Sequence, residues 1–203
     1  FAEKYYSMSP YQYGANSPVG NIDVNGDSII IKPNANGIID QIKVLFGYDT
    51  KFQKDVKADL FQLKQDDKKV ADIIGKLEES KNIHYITMPK KGEYNSTGFN
   101  ADKVKKNISQ GSEIYYNPYN RRRGRNDSDM RTPRIGLAHE LQHSFDVDKK
   151  VATYERTKNG ILLMDIRAIN TENRIRKVIG EPKRTMYGTC LLYTSPSPRD
   201  VEE

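Results

Sequence analysis

The longest regular alternation of apolar and polar positions runs through FQKDVKADLFQLKQDDKKVADIIGKLEES. There Val56, Leu60, Leu63, Val70, Ile73, Ile74 and Leu77 recur at helical spacing, which predicts two helices or one broken helix. The runs IHYIT (83–87) and SEIYYN (112–117) are rich in β-branched and aromatic residues and are bounded by Pro89 and Pro118, so they predict strands. From Asn34 to Gly47 the chain leans apolar without a firm period and reads as a connector. In TPRIGLAHELQHSFD a helix is expected to start with Thr132 as N-cap and Pro133 at the first helical position, where its missing N–H costs nothing. Leu137, Leu141 and Phe145 then form one apolar stripe. A last helix is expected in ILLMDIRAINTENRIRKVIG (161–180), with Ile161, Ala168, Ile169 and Ile179 on one face. A small sheet placed ahead of the motif helix predicts an α+β fold.

Composition narrows the class. The 203 residues, 36% hydrophobic and 30% charged, suit one ordinary domain plus a fragment. No run approaches the ~18 to 20 apolar residues that would span a bilayer, so no membrane segment is expected. The start, FAEKYYSMSP, has no targeting signal, and because it opens on Phe1 any export signal is expected upstream. The net charge of +6 fits lysines spread over solvated helix faces. Residues 120–130, NRRRGRNDSDM, read as an exposed loop; Arg121, Arg122, Arg123 and Arg125 there could also grip phosphates or an acidic substrate.

The chemistry concentrates in His139, Glu140 and His143. Residues four apart stand one turn apart on one helix face, so the two imidazoles can bind one ion while Glu140 beside them serves as general base. This is the HExxH arrangement, and zinc suits it because imidazole nitrogen is a good ligand for a borderline metal. The third ligand is expected from the following helix, where Asp165 and Glu172 lie seven apart on the inward face. Glu172 has an ion-pair partner four residues on in Arg176, whereas Asp165 has none at that spacing. Asp165 is therefore assigned to the metal and Glu172 to a supporting role, with Glu172 as the alternative ligand. Tyr187 is a candidate to stabilise a developing oxyanion, against the plainer reading of a core tyrosine.

Three stretches resemble known sequences. Residues 4 to 26 contain Ser9-Pro10-Tyr11-Gln12-Tyr13, Asn16-Ser17-Pro18 and Asp23-Val24-Asn25-Gly26, and resemble the closing segment of the RHS repeat core, with Val24 at a position usually held by proline. That family's core forms a shell around a variable C-terminal toxin, often released by cleavage near this motif. FQKDVKADLFQL, IYYNP, GLAHELQHSFD and DIRAINTENRIRKVIGEPKRTMYG are similar to the NleD-like effector zinc metallopeptidases. This resemblance implies zinc ligation by His139 and His143, a base role for Glu140, and Asp165 at a position where relatives more often carry Glu. Cys190 to Asp200, CLLYTSPSPRD, resembles a translated sequencing-library adapter, so the tail and its lone cysteine carry no disulfide or thiol argument.

The expected organisation is an RHS-core end (1–26), a connector (27–51), a zincin-like metallopeptidase domain (52–189) and an adapter-derived tail (190–203). The expected function is zinc-dependent endoproteolysis, with one Zn2+, by a toxin secreted or delivered into a target cell as part of a larger bacterial polypeptide. Its expected partners are a protein substrate, an immunity protein and the RHS shell, with no nucleic acid. IYYN is the candidate edge strand for pairing with an extended substrate. Two other classes stay open: a basic nucleic-acid-binding or nuclease toxin, and a catalytically inactive zinc-binding interaction domain.

Overall fold

A computed structural model describes residues 28–35, 37–121 and 131–187, and the backbone of 190–191. The RHS-like segment, Arg122, Arg123, Arg125 and most of the adapter-like tail lie outside the described residues. In chain order the elements are β1 (Ile29–Ile31), α1 (Ile38–Leu45), α2 (Lys51–Asp66), α3 (Lys68–Glu78), β2 (His84–Thr87), β3 (Ser96–Gly98), α4 (Ala101–Lys105), β4 (Ser112–Tyr115), α5 (Pro133–Asp148), α6 (Leu163–Ile179), β5 (Met186–Tyr187) and β6 (Cys190–Leu191). This is a mixed α+β architecture.

The broken helix breaks at Asp67. Its backbone is extended, and its carboxylate accepts from the amides of Lys69 (2.9 Å) and Val70 (3.1 Å), so it ends α2 and caps α3. The other end of α2 carries a capping box between Thr50 and Gln53. All seven apolar positions of the predicted pattern are buried. They pack with Ile86, Ile114, Leu137 and Leu141 into one core between the helices and the sheet.

The main sheet has the order β1-β2-β4-β3, with β1, β2 and β4 parallel and β3 antiparallel to β4. Two corrections follow. The strand of IYYN, β4, is an inner strand with both sides paired, so it cannot accept an added strand; β3 is the free edge beside it. Residues 29–31, expected in the connector, form β1 and pair with β2. The connector also contains α1, which buries no residue and leaves Ile38, Ile39 and Leu45 largely exposed. At the other end, β5 pairs with β6, so two residues of the adapter-like stretch form a short antiparallel pair.

Thirteen of the 16 residues of α5 are buried, which is why its apolar stripe is only part of what it packs. The far end of α5 is tied to the sheet by polar groups. The Asp148 carboxylate accepts from Ser80 (2.5 Å) and Asn82 (2.7 Å). Fully buried His84 faces Asp148 at 3.7 Å and shares a 2.8 Å hydrogen bond with Ser112, whose hydroxyl donates to Ser144 of α5 at 2.8 Å.

Two glycines give opposite expectations. A Cβ on Gly75, inside α3, would meet nothing within 4 Å, whereas one on Gly111 would lie 2.1 Å from the carbonyl oxygen of Ile83. Gly75→Ala is expected to stabilise the fold by about 0.5 to 1 kcal/mol, and Gly111→Ala to lower the urea midpoint because the backbone must move. A second expectation concerns acid. Burial holds the His84 imidazole below its ordinary value despite the attraction of Asp148. The unfolded chain takes up this proton near about pH 6.5 and the folded chain only lower down. This contribution to stability is therefore complete above that pH and is lost as pH falls through the folded value. Urea unfolding between pH 7 and pH 5 should show a steeper loss for the wild type than for His84→Gln; equal slopes would rule out His84 as the source.

Candidate metal centre

The centre forms where α5 and α6 pack along each other, a pairing fixed by complementary polar bonds inside an apolar interface. Thr171 donates to Gln142 (2.7 Å), Gln142 donates to Asp146 (2.7 Å), and Arg167 of α6 reaches the same Asp146 carboxylate at 2.8 Å. These contacts set the rotation of both helices, and with it the facing of His139, His143, Asp165 and Glu172.

His139 and His143 bring their Nε2 atoms to 3.3 Å, and Asp165 Oδ1 stands 3.6 Å from His143 Nε2. Among the described residues no three such side chains close around one point as a finished metal cage. The His139–His143 spacing nevertheless suits one, because ligands held tetrahedrally at ~2.0 to 2.1 Å from zinc stand about 3.3 to 3.4 Å from each other, and Asp165 at 3.6 Å stands slightly beyond that range. Without a metal the imidazole pair can hold a single N–H···N bond, while the Asp165 oxygen beside it then faces the same His143 nitrogen with no further proton to share. A cation between them satisfies all three donors. Burial, reinforced by His139 and Arg167, pushes the His143 imidazole down to about 3, so it is neutral, the form that binds metals. The residues present therefore fit a zinc ion.

Glu172 occupies the supporting place. Its carboxylate lies 3.3 Å from His139 Nδ1, at ion-pair distance but without the alignment of a hydrogen bond. It also accepts from Arg176 (2.8 Å), Arg184 (3.1 Å) and Arg131 (3.3 Å). Burial alone would raise this carboxyl; His139, Arg131 and Arg184 hold it well below the usual range. A carboxylate in this place behind an imidazole can orient the ring. The predicted Arg176 partner is in place, and Arg131 and Arg184 join it.

Glu140 points into the same cavity. Burial raises its carboxyl, offset by His139, by a hydrogen bond from Thr97 and by Arg131. The Thr97 hydroxyl lies 2.8 Å from Glu140 Oε2, so edge strand β3 fixes the carboxylate. Asp165 is likewise raised by burial, with His139 and a hydrogen bond from the Tyr187 hydroxyl opposing the rise. Burial and Asp165 push Tyr187 up to about 12. Arg184 lies over the Tyr187 ring at 4.9 Å, and both line the cavity of 360 Å³ with His139, Glu140, His143 and Asp165.

The candidates for the metal site and its chemistry, His139, Glu140, His143, Asp165 and Tyr187, thus line one cavity, with Glu172 in the wall behind it; Arg121 does not line it, and Arg122, Arg123 and Arg125 lie outside the described residues. One local expectation changes. Thr132 stands at the N-cap of α5, but its side chain makes no capping bond; hydroxyl and amide both donate to Glu181, at 2.6 and 2.8 Å. The sequence reading missed Thr97, because NSTGF has the composition of a turn, and Arg131 and Arg184, which lie outside helical periodicity. Compared with known protein families, curated proteins and solved structures, the chain matches none.

Glu172→Gln keeps the shape of the side chain but removes the charge that three guanidinium groups share, those of Arg131 and Arg176 buried and that of Arg184 nearly so. It is expected to cost about 3 kcal/mol or more, read from urea unfolding. A loss below about 1 kcal/mol would show that the arginines are satisfied without it.

Proposed function

We propose that this chain is a zinc-dependent endopeptidase of zincin-like build. The observation that carries the reading is the meeting of His139 Nε2, His143 Nε2 and Asp165 Oδ1 at 3.3 and 3.6 Å, with the Glu140 carboxylate in the same cavity. His139, His143 and Asp165 hold the metal, with Glu172 behind His139. Bound zinc supplies Lewis acidity, polarising a carbonyl and making a water nucleophilic near neutral pH.

The remaining steps belong to side chains. Glu140 takes the proton of the attacking water and passes it to the departing amine, a role suited to a carboxyl raised by burial and steadied by Thr97. Tyr187 keeps its proton at neutral pH and donates to the oxyanion as the carbonyl carbon becomes tetrahedral. An extended substrate adds to the free side of β3, whose Ser96 and Thr97 line the cavity, so its peptide bond arrives in register with Glu140. Delivery as the toxin end of an RHS polypeptide, with an immunity partner, is proposed on sequence resemblance alone.

The test is metal content and proteolysis on one set of proteins. Glu140→Gln is expected to retain one zinc per chain and lose about 10² to 10⁴ in kcat toward a denatured protein mixture. His143→Ala and Asp165→Ala are expected to lose stoichiometric zinc. A well-folded wild type that binds no zinc would overturn the reading, and zinc retention with no cleavage by wild type would leave a metal-binding domain without this activity.

A further inference from the structure

Three guanidinium groups crowd onto one carboxylate behind the cavity. Glu172 is fully buried and serves Arg131, Arg176 and Arg184 together. Arg176 makes the shortest of these contacts, 2.8 Å, and has a second carboxylate in Glu181 at 3.4 Å, so Arg131 and Arg184 share Glu172 with a closer competitor. Their side chains are 6% and 11% exposed, and both line the cavity. Guanidinium groups stay charged, and a buried charge without a full counter-charge is costly. The other carboxylates here, Glu140 and Asp165, are committed under the peptidase reading to proton transfer and to the metal.

Local geometry holds these donors in place. Arg131 keeps its Nε without a partner although that atom is buried. A Cβ on Gly136 in the first turn of α5 would lie 2.5 Å from Arg131 Nη2 and 2.6 Å from Asn95 Nδ2, so the missing side chain is what lets the guanidinium and the amide lie against the helix. Asn95 Oδ1 accepts from the amide of Asn117 at 3.1 Å, which turns its N–H2 group toward Arg131. Two guanidinium groups and one amide therefore offer donors to one cavity whose other walls include Phe99, Leu162 and Met164, a setting that strengthens charge recognition.

We infer that the cavity contains a carboxylate subsite, in which Arg131, with Asn95 and Arg184, receives an anionic group of the substrate next to the bond to be cleaved. The carboxylate belongs to an Asp or Glu side chain or to a chain terminus. The inference rests on the peptidase reading for its substrate and on Gly136, Asn95 and Arg131 for its geometry. The peptide is selected because an acid satisfies the donors and a neutral isostere leaves them unpaired.

Three pools of acetylated decapeptides, random but free of other acids, distinguish the sources: a central Glu with an amidated end, a central Gln with an amidated end, and a central Gln with a free carboxyl end. Cleavage by zinc-loaded wild type is read by mass spectrometry, and retention is read on immobilised Glu140→Gln protein. The Glu pool is expected to be cut at least about tenfold faster than the amidated Gln pool and to be retained in preference to it. The ratio should fall toward one in Arg131→Gln. Gly136→Ala, which displaces the guanidinium, gives the same readout should Arg131→Gln not fold. Preference for the free-acid pool alone assigns the subsite to a chain terminus. Preferential retention of an acidic pool without any cleavage would support the subsite and sink the peptidase reading, and equal cleavage and retention of all pools would overturn the subsite.

Discussion

The buried charge of Glu172 holds several parts of this molecule together. It is buried on α6, and its two oxygens collect Arg176 from the same helix, Arg131 from the approach to α5, Arg184 from the segment beyond α6, and the outer face of His139. Four stretches of chain converge on one carboxylate in a low-dielectric setting, where each partner compensates the desolvation of the others. The histidine helix cannot rotate without pulling His139 off Glu172, and the segment carrying Tyr187 cannot leave without stranding Arg184. A structural ion cluster and the placement of His139 are thus the same interaction.

The same packing gives the two acids of α6 different surroundings. Asp165, seven residues before Glu172, sits one face-repeat away on the same side of the helix, yet its surroundings differ. Among the described residues no arginine forms an ion pair with it; its neighbours include His143 and the Tyr187 hydroxyl. A carboxylate left without a strong cation of its own suits a metal ligand, while one saturated by guanidinium groups suits a support. Sequence spacing places both on one face, and only the packing of Arg131 and Arg184 separates their surroundings.

Legibility followed physical locality. The interrupted helix was readable because Asp67 both breaks and caps, and because its seven apolar positions follow one period. His139, Glu140 and His143 were readable because a four-residue spacing becomes a geometry as soon as a helix forms. Strand β3 was not, since Ser96–Gly98 has neither apolar alternation nor β-branched weight and exists through its pairing with β4. The same holds for β1, a parallel strand whose partner β2 lies over fifty residues away, beyond the reach of any local pattern. Thr132 shows a further limit: its type and position suit a cap, but Glu181, far along the chain, competes for its hydroxyl and wins. Thr97, Arg131 and Arg184 depend on such distant meetings, which is why they escape a reading made one segment at a time.

The burial of α5 bears on when the site comes into being. Thirteen of its 16 residues lie inside, so the helix has no broad wet face on which to persist alone. Its histidines gain their fixed spacing only once sheet, α3 and α6 have closed around them. Opening that core exposes the segment and dissolves the site in one event, so amide protection across residues 139 to 143 should track global unfolding rather than local fraying. Side chains placed on a surface loop can keep their arrangement in a half-formed chain; here the arrangement and complete folding arrive together.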